Sequence, residues 1–67
     1  MILLDELRDA GVLKITGYPT GWWDMEWQTI AEIFTDKPVP LNVQSRDFDE
    51  AVRTLHGMMR EYLKAAA

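Results

Sequence analysis

Gly21-Trp22-Trp23-Asp24-Met25-Glu26-Trp27-Gln28-Thr29-Ile30-Ala31-Glu32-Ile33-Phe34 is the stretch that decides the fold, because two periods can be laid on it. On a two-residue period, Trp23, Met25, Trp27, Thr29, Ala31 and Ile33 share one face. Asp24, Glu26, Gln28 and Glu32 share the other with Trp22, Ile30 and Phe34. On a helical period, Trp23, Trp27, Ile30 and Phe34 form an apolar stripe, but Glu26 falls beside it. Only the strand gathers every charged side chain on one face. Aromatic residues also suit a pleated, half-buried surface. The stretch is therefore read as a strand over 22–34, with a helix over 24–34 as the alternative, which would give a mostly α protein.

Working outward, Tyr18-Pro19-Thr20-Gly21 has proline second and glycine fourth, the chemistry of a type I turn. Before it, Val12 to Tyr18 alternates, Leu13 and Ile15 against Lys14 and Thr16, and reads as a strand paired with 22–34 in a hairpin. Ile2 to Ala10 reads as a short helix with Leu3, Leu7 and Ala10 on one side and Gly11 as its C′ residue. Nine residues are too few to hold a helix alone, so this one must pack on something. After the central stretch, Thr35-Asp36-Lys37-Pro38 is turn material, and Leu41 and Val43 alternate with Asn42 and Gln44 in a third strand, 39–44. Pro38 and Pro40 place its start at a sheet edge.

The last segment is the clearest. Asp47 followed by Glu50 matches a capping box. Behind it Phe48, Val52, Leu55, Met59, Tyr62 and Leu63 make a continuous apolar stripe, a helix over 48–64. Arg53, Arg60 and Lys64 line its other side, with Gly57 among them. The expected architecture is a single αβββα domain over 1–67, of α+β class. A three-stranded antiparallel sheet (12–18, 22–34, 39–44) is packed by the helices 2–10 and 48–64.

A chain of 67 residues encloses a thin core, and domains of this size commonly lean on disulfides, a metal or a partner. There is no cysteine, which rules out disulfides and thiolate metal sites, and the one histidine, His56, cannot build a zinc site alone. Neither a cofactor nor a metal is expected. Good packing or self-association remains. No signal pattern follows Met1 and no apolar run would span a bilayer, so a cytoplasmic location is expected.

The net charge of −4 resides in the N-terminal half. Residues 1–34 carry six acids against Arg8 and Lys14, whereas residues 35–67 carry five of each sign. Such a domain gains little from the counterion release that drives phosphate-backbone binding, so a neutral or basic protein surface is the expected partner and nucleic acid is disfavoured. Glycines 11, 17 and 21 form no phosphate loop, and no nucleophile–base–acid set is spaced as a motif. The chain reads as a non-enzyme. Asp24, Glu26 and Glu32 make an acidic face of the sort solvent usually covers, and His56 sits at the margin of its helix as a structural residue.

Trp23 and Trp27 are expected in the core. The residues offered to a partner are Tyr18, Trp22, Asp24 and Glu26, an aromatic and acidic hairpin face. That reading makes the chain a protein-binding module, a small accessory or inhibitor protein of the kind bacteria and phages encode, with itself as homodimer a further partner. The helix–three strands–helix order resembles the double-stranded-RNA-binding topology, a family with basic residues at the start of its last helix. Here those positions hold Asp47, Asp49 and Glu50. Ser45-Arg46-Asp47-Phe48-Asp49-Glu50-Ala51-Val52, entering a helix that ends Glu61-Tyr62-Leu63, looks like the small HicB-type antitoxin domains over about a third of the chain. These resemblances imply a topology and, as the alternative function, nucleic-acid binding. Such binding would act through that topology or through the Arg53, Arg60 and Lys64 stripe. A third reading makes the chain a subunit of an enzyme completed by another chain, with Asp24, Glu26 or His56 facing a shared cleft.

Overall fold

A computed structural model describes residues 2–33 and 40–66. The chain order is α1 (Ile2–Ala10), β1 (Val12–Gly17), β2 (Trp23–Gln28), α2 (Ile30–Ile33), β3 (Leu41–Ser45) and α3 (Phe48–Ala66). The strands form one antiparallel sheet in the order β1-β2-β3, and α1 and α3 pack together on one of its faces. This is the expected α+β arrangement, and the mostly α alternative does not hold.

The hairpin follows from its loop chemistry. Gly21 N–H donates to the Tyr18 carbonyl and Tyr18 N–H to the Trp22 carbonyl, both at 2.9 Å. Gly21 has φ +91°, where L side chains are strained. This is a three-residue hairpin loop, a turn followed by a left-handed residue that makes a G1 bulge. The bulge adds the right-handed twist the two strands need, and it fixes the register at Gly17 opposite Trp23. One pair further on Thr16 faces Asp24, and three pairs on Lys14 faces Glu26. The second is an opposite-charge cross-strand pair of the kind that contributes a few tenths of a kcal/mol.

Several boundaries shift by one or two residues (β1 ends at Gly17, β2 starts at Trp23, β3 spans Leu41–Ser45 and α3 reaches Ala66), and one differs widely. β2 stops at Gln28, and 30–33 form the short helix α2 rather than more strand. Thr29-Ile30-Ala31-Glu32 is itself a capping pattern: Glu32 N–H lies 3.3 Å from the Thr29 hydroxyl and 3.2 Å from its carbonyl. The cap ends the alternation of the upstream residues, and Ile30 is left exposed. The expected turn at 35–38, Phe34 and the first residue of the expected third strand, Val39, lie outside the described residues.

The core is Leu7, Met25, Trp27, Ala51, Val52, Leu55 and Met59, all buried. Strand parity puts Met25 and Trp27 on the helix side, and Trp23 beside them is half-buried against the edge of Phe48, ring centroids 4.9 Å apart. Trp27 meets the Tyr62 ring edge-on at 6.2 Å, and its indole Nε1–H donates 2.8 Å to the Leu7 carbonyl. That bond serves a carbonyl in the last turn of α1, where helix acceptors run short of partners. Gly11 follows α1 but is not the left-handed cap expected of it: Gly21 alone has positive φ among the described residues. Its role is space. A Cβ there would lie 2.4 Å from the Gln28 carbonyl oxygen and 2.8 Å from the Trp27 ring, so only glycine lets α1 turn directly into β1 beneath the indole.

The start of α3 is capped as read, with a change of partner. Glu50 N–H lies 3.2 Å from Asp47 Oδ1, whereas Asp47 N–H is taken by the Ser45 hydroxyl at 3.1 Å. Asp47→Ala should therefore destabilise the protein by about 0.5–2 kcal/mol, read as a lower urea midpoint with an unchanged m-value. Gly57, in the middle of the same helix, is exposed, and a Cβ added there meets nothing within 4 Å. Gly57→Ala should then stabilise by about 1 kcal/mol, which for a domain of this size raises Tm by about 4–8 °C in a thermal melt.

Candidate functional site: the hairpin end

The hairpin loop, the first residues of β2 and the last of β3 meet at one end of the sheet. There Tyr18, Thr20, Trp22, Trp23, Asp24 and Gln44 line a cleft of about 280 Å³. Tyr18 is 49% exposed and Trp22 42%, two large aromatic side chains left in solvent by a protein whose other tryptophans are drawn into its packing. Trp22 stands just before β2, outside the ladder. Its ring is held by Arg46, in the bend after β3, whose guanidinium carbon is 5.1 Å from the ring centroid. That is cation–π range, and it steadies an indole that would otherwise sample several rotamers.

Asp24 is oriented from the neighbouring strand. Asn42 Nδ2 donates to Asp24 Oδ1 at 2.5 Å and lies 3.2 Å from the Met25 carbonyl. The amide ties the carboxylate to the sheet, so the negative charge at the cleft occupies a defined position. Of the four residues expected to serve a partner, Tyr18, Trp22 and Asp24 are gathered in this cleft. Glu26 is not. It is one residue pair further along β2, half-buried, between Lys14 on β1 and Asn42 on β3.

Sequence reasoning did not pick out Arg46, Gln44 or Thr20. They reach the cleft through the β2–β3 register and the hairpin loop, which no local spacing announces. His56 also gained a partner: its Nε2 is 2.6 Å from Glu6 Oε2, with His56 largely covered and Glu6 about half exposed. The pair clips α3 to α1 and stands in the groove between them with Leu3, Met59 and Arg60, away from the hairpin cleft. Arg53, Arg60 and Lys64 are all exposed on α3.

The cleft is at the lower end of the range of small-molecule sites, about 300–1,000 Å³. Its size and mixed lining suit one or two side chains of a macromolecule. Among the described residues no three His, Cys, Asp or Glu side chains are grouped to hold a metal ion, and no helix is long and apolar enough to cross a membrane. No family model, curated protein or solved structure matches the chain.

Proposed function

We propose that the chain is a protein-binding module, an accessory or inhibitor protein of bacterial or phage type that acts in the cytoplasm without catalysing a reaction, and that the hairpin cleft is its contact site. The observation that carries this reading is the exposed Tyr18–Trp22 pair beside an oriented Asp24 carboxylate. Aromatic faces with an adjacent anion recognise a basic side chain: the rings take its stem or its cation, and the carboxylate takes its charge. Tryptophan, tyrosine and arginine are also the residues that most often dominate protein interfaces. The partner is accordingly a protein surface that presents lysine or arginine beside an apolar residue. Glu26 and the acidic N-terminal half add the long-range field that steers such a surface inward.

The test compares capture from a bacterial lysate by the wild-type chain, Trp22→Ala and Arg53→Ala. Trp22 is outside the core, so its replacement should change stability by no more than about 0.5 kcal/mol. Its loss should nevertheless weaken a stoichiometric protein partner by about 30-fold or more, the scale of a hot-spot residue, while Arg53→Ala retains it. Failure to recover any stoichiometric protein would count against the reading, as would a partner held equally well by Trp22→Ala. Nucleic-acid binding through Arg53, Arg60 and Lys64 predicts the opposite: attachment to mixed RNA and DNA at low salt that Arg53→Ala weakens and added salt abolishes.

A further inference from the structure

We infer that β3 is a self-pairing edge, and that the protein forms a two-fold dimer in which two copies of β3 join their sheets into one of six strands. β3 is an outer strand. The alternation set at the hairpin, where Tyr18 and Trp22 are a hydrogen-bonded pair, runs through the register to β3. It turns the backbone N–H and C=O of Asn42 and Gln44 away from β2. Proteins usually protect such an edge with a lysine, a proline within the strand or a bulge. β1 has Lys14 at its centre, whereas Leu41-Asn42-Val43-Gln44-Ser45 carries no charge and Pro40 stops short of it.

The edge is complementary to itself. In antiparallel pairing centred on Val43, Asn42 of each copy exchanges both backbone bonds with Gln44 of the other. Their side chains, amide opposite amide, lie on the face away from the helices. The two Val43 side chains meet on the helix side, and no like charges come together. Proline at position 40 lacks an N–H, which disfavours registers that slide the pairing toward it. A second, independent feature lies on the same flank. Leu41, Met58, Tyr62 and Ala65 line an apolar groove between β3 and α3, with Glu61 at its rim. Because α3 lies over β2 and β3, adding a strand spacing across the axis sets the two α3 helices about 10 Å apart, within packing distance. The groove of each copy is then closed by the other's helix. A foreign strand would satisfy the backbone but leave the groove open, and for this reason the occupant is a second copy. The axis runs perpendicular to the sheet, so the two hairpin clefts lie at opposite ends of the joined sheet.

The mass in solution should be twice the 7.8 kDa of the chain at high micromolar concentration, by light scattering or sedimentation. Asn42→Pro, which removes an outward N–H, and Met58→Glu, which charges the groove, should each return it to one chain. Asn42→Ala keeps the N–H and should stay dimeric, and so should Trp22→Ala, which separates this surface from the hairpin cleft. Should Asn42→Pro fail to fold by circular dichroism, Met58→Glu decides. Since the described chain has no cysteine, Val43→Cys gives a direct check. It should form a disulfide-linked dimer on mild oxidation and Lys14→Cys should not. A single-chain mass up to millimolar concentration, a dimer indifferent to both Asn42→Pro and Met58→Glu, or crosslinking through Lys14→Cys alone would overturn the inference.

Discussion

Trp27→Ala should leave no folded protein at room temperature. Trp27 is 1% exposed at the centre of the core, with Leu7, Met25 and Leu55 around it. Truncating a buried tryptophan to alanine costs about 3–5 kcal/mol through lost transfer energy and the cavity left behind. The Leu7 carbonyl would also lose its indole donor, and a buried acceptor without a partner adds about 1–3 kcal/mol. A core of this size rarely supplies more than about 3–5 kcal/mol in total, so the loss exceeds the reserve. Circular dichroism at 25 °C should show a chain without cooperative melting. Trp27→Phe separates the two terms. It keeps most of the apolar volume and removes the donor, so it should fold with a lower midpoint, and a midpoint equal to wild type would show that the bond to Leu7 contributes nothing.

Gly11→Ala is the second large effect, and the less obvious one. A methyl group is the smallest addition, yet it would sit 2.4 Å from a backbone oxygen and 2.8 Å from the ring that anchors the core. Neither neighbour is the free end of a flexible side chain. Relief requires β1 to separate from the end of β2, where Val12 faces Gln28, or the Trp27 ring to leave its place under α1. Overpacking of this kind costs about 1–3 kcal/mol and sometimes more. Intrinsic propensity argues the other way, because removing a glycine lowers the entropy of the unfolded chain by up to about 1 kcal/mol in free energy. A net loss of about 1–3 kcal/mol in urea unfolding is expected. A gain would mean that Gly11 is replaceable and that its proximity to Trp27 carries no constraint. The contrast with Gly57→Ala is the control, since the same chemical change in open space should stabilise.

The two glycines show how sequence and structure divide the explanation. Read locally, Gly11 after a helix is a cap and Gly57 within one is a flaw. Gly57 was legible because the helix around it is set by neighbours three and four residues away. Gly11 was not, because the atoms that exclude a side chain there belong to Trp27 and Gln28, which arrive from another strand.

The candidate site divides in the same way. Tyr18, Trp22 and Asp24 were legible as a group because a four-residue turn and a two-residue period place them, and both are properties of adjacent residues. Glu26 shared the period but not the place: the cleft is at the hairpin end, and a strand rises about 3.3 Å per residue away from it. Arg46 stacks on Trp22 and Asn42 holds Asp24 only because β3 pairs with β2 in one particular register.

What the sequence determined by itself was the hairpin, the edge position of the third strand, the long capped helix and which tryptophans face inward. Each is set by a period or a turn written in near neighbours. The end of β2 is set locally by the Thr29 cap, whereas tertiary structure decided why Gly11 is glycine and what orients the cleft. It also set the bond from Trp27 to Leu7, 20 residues away, and the pairing of His56 with Glu6, 50 residues away. Those contacts form when the helices close over the sheet, and nothing in the spacing of the residues along the chain encodes them.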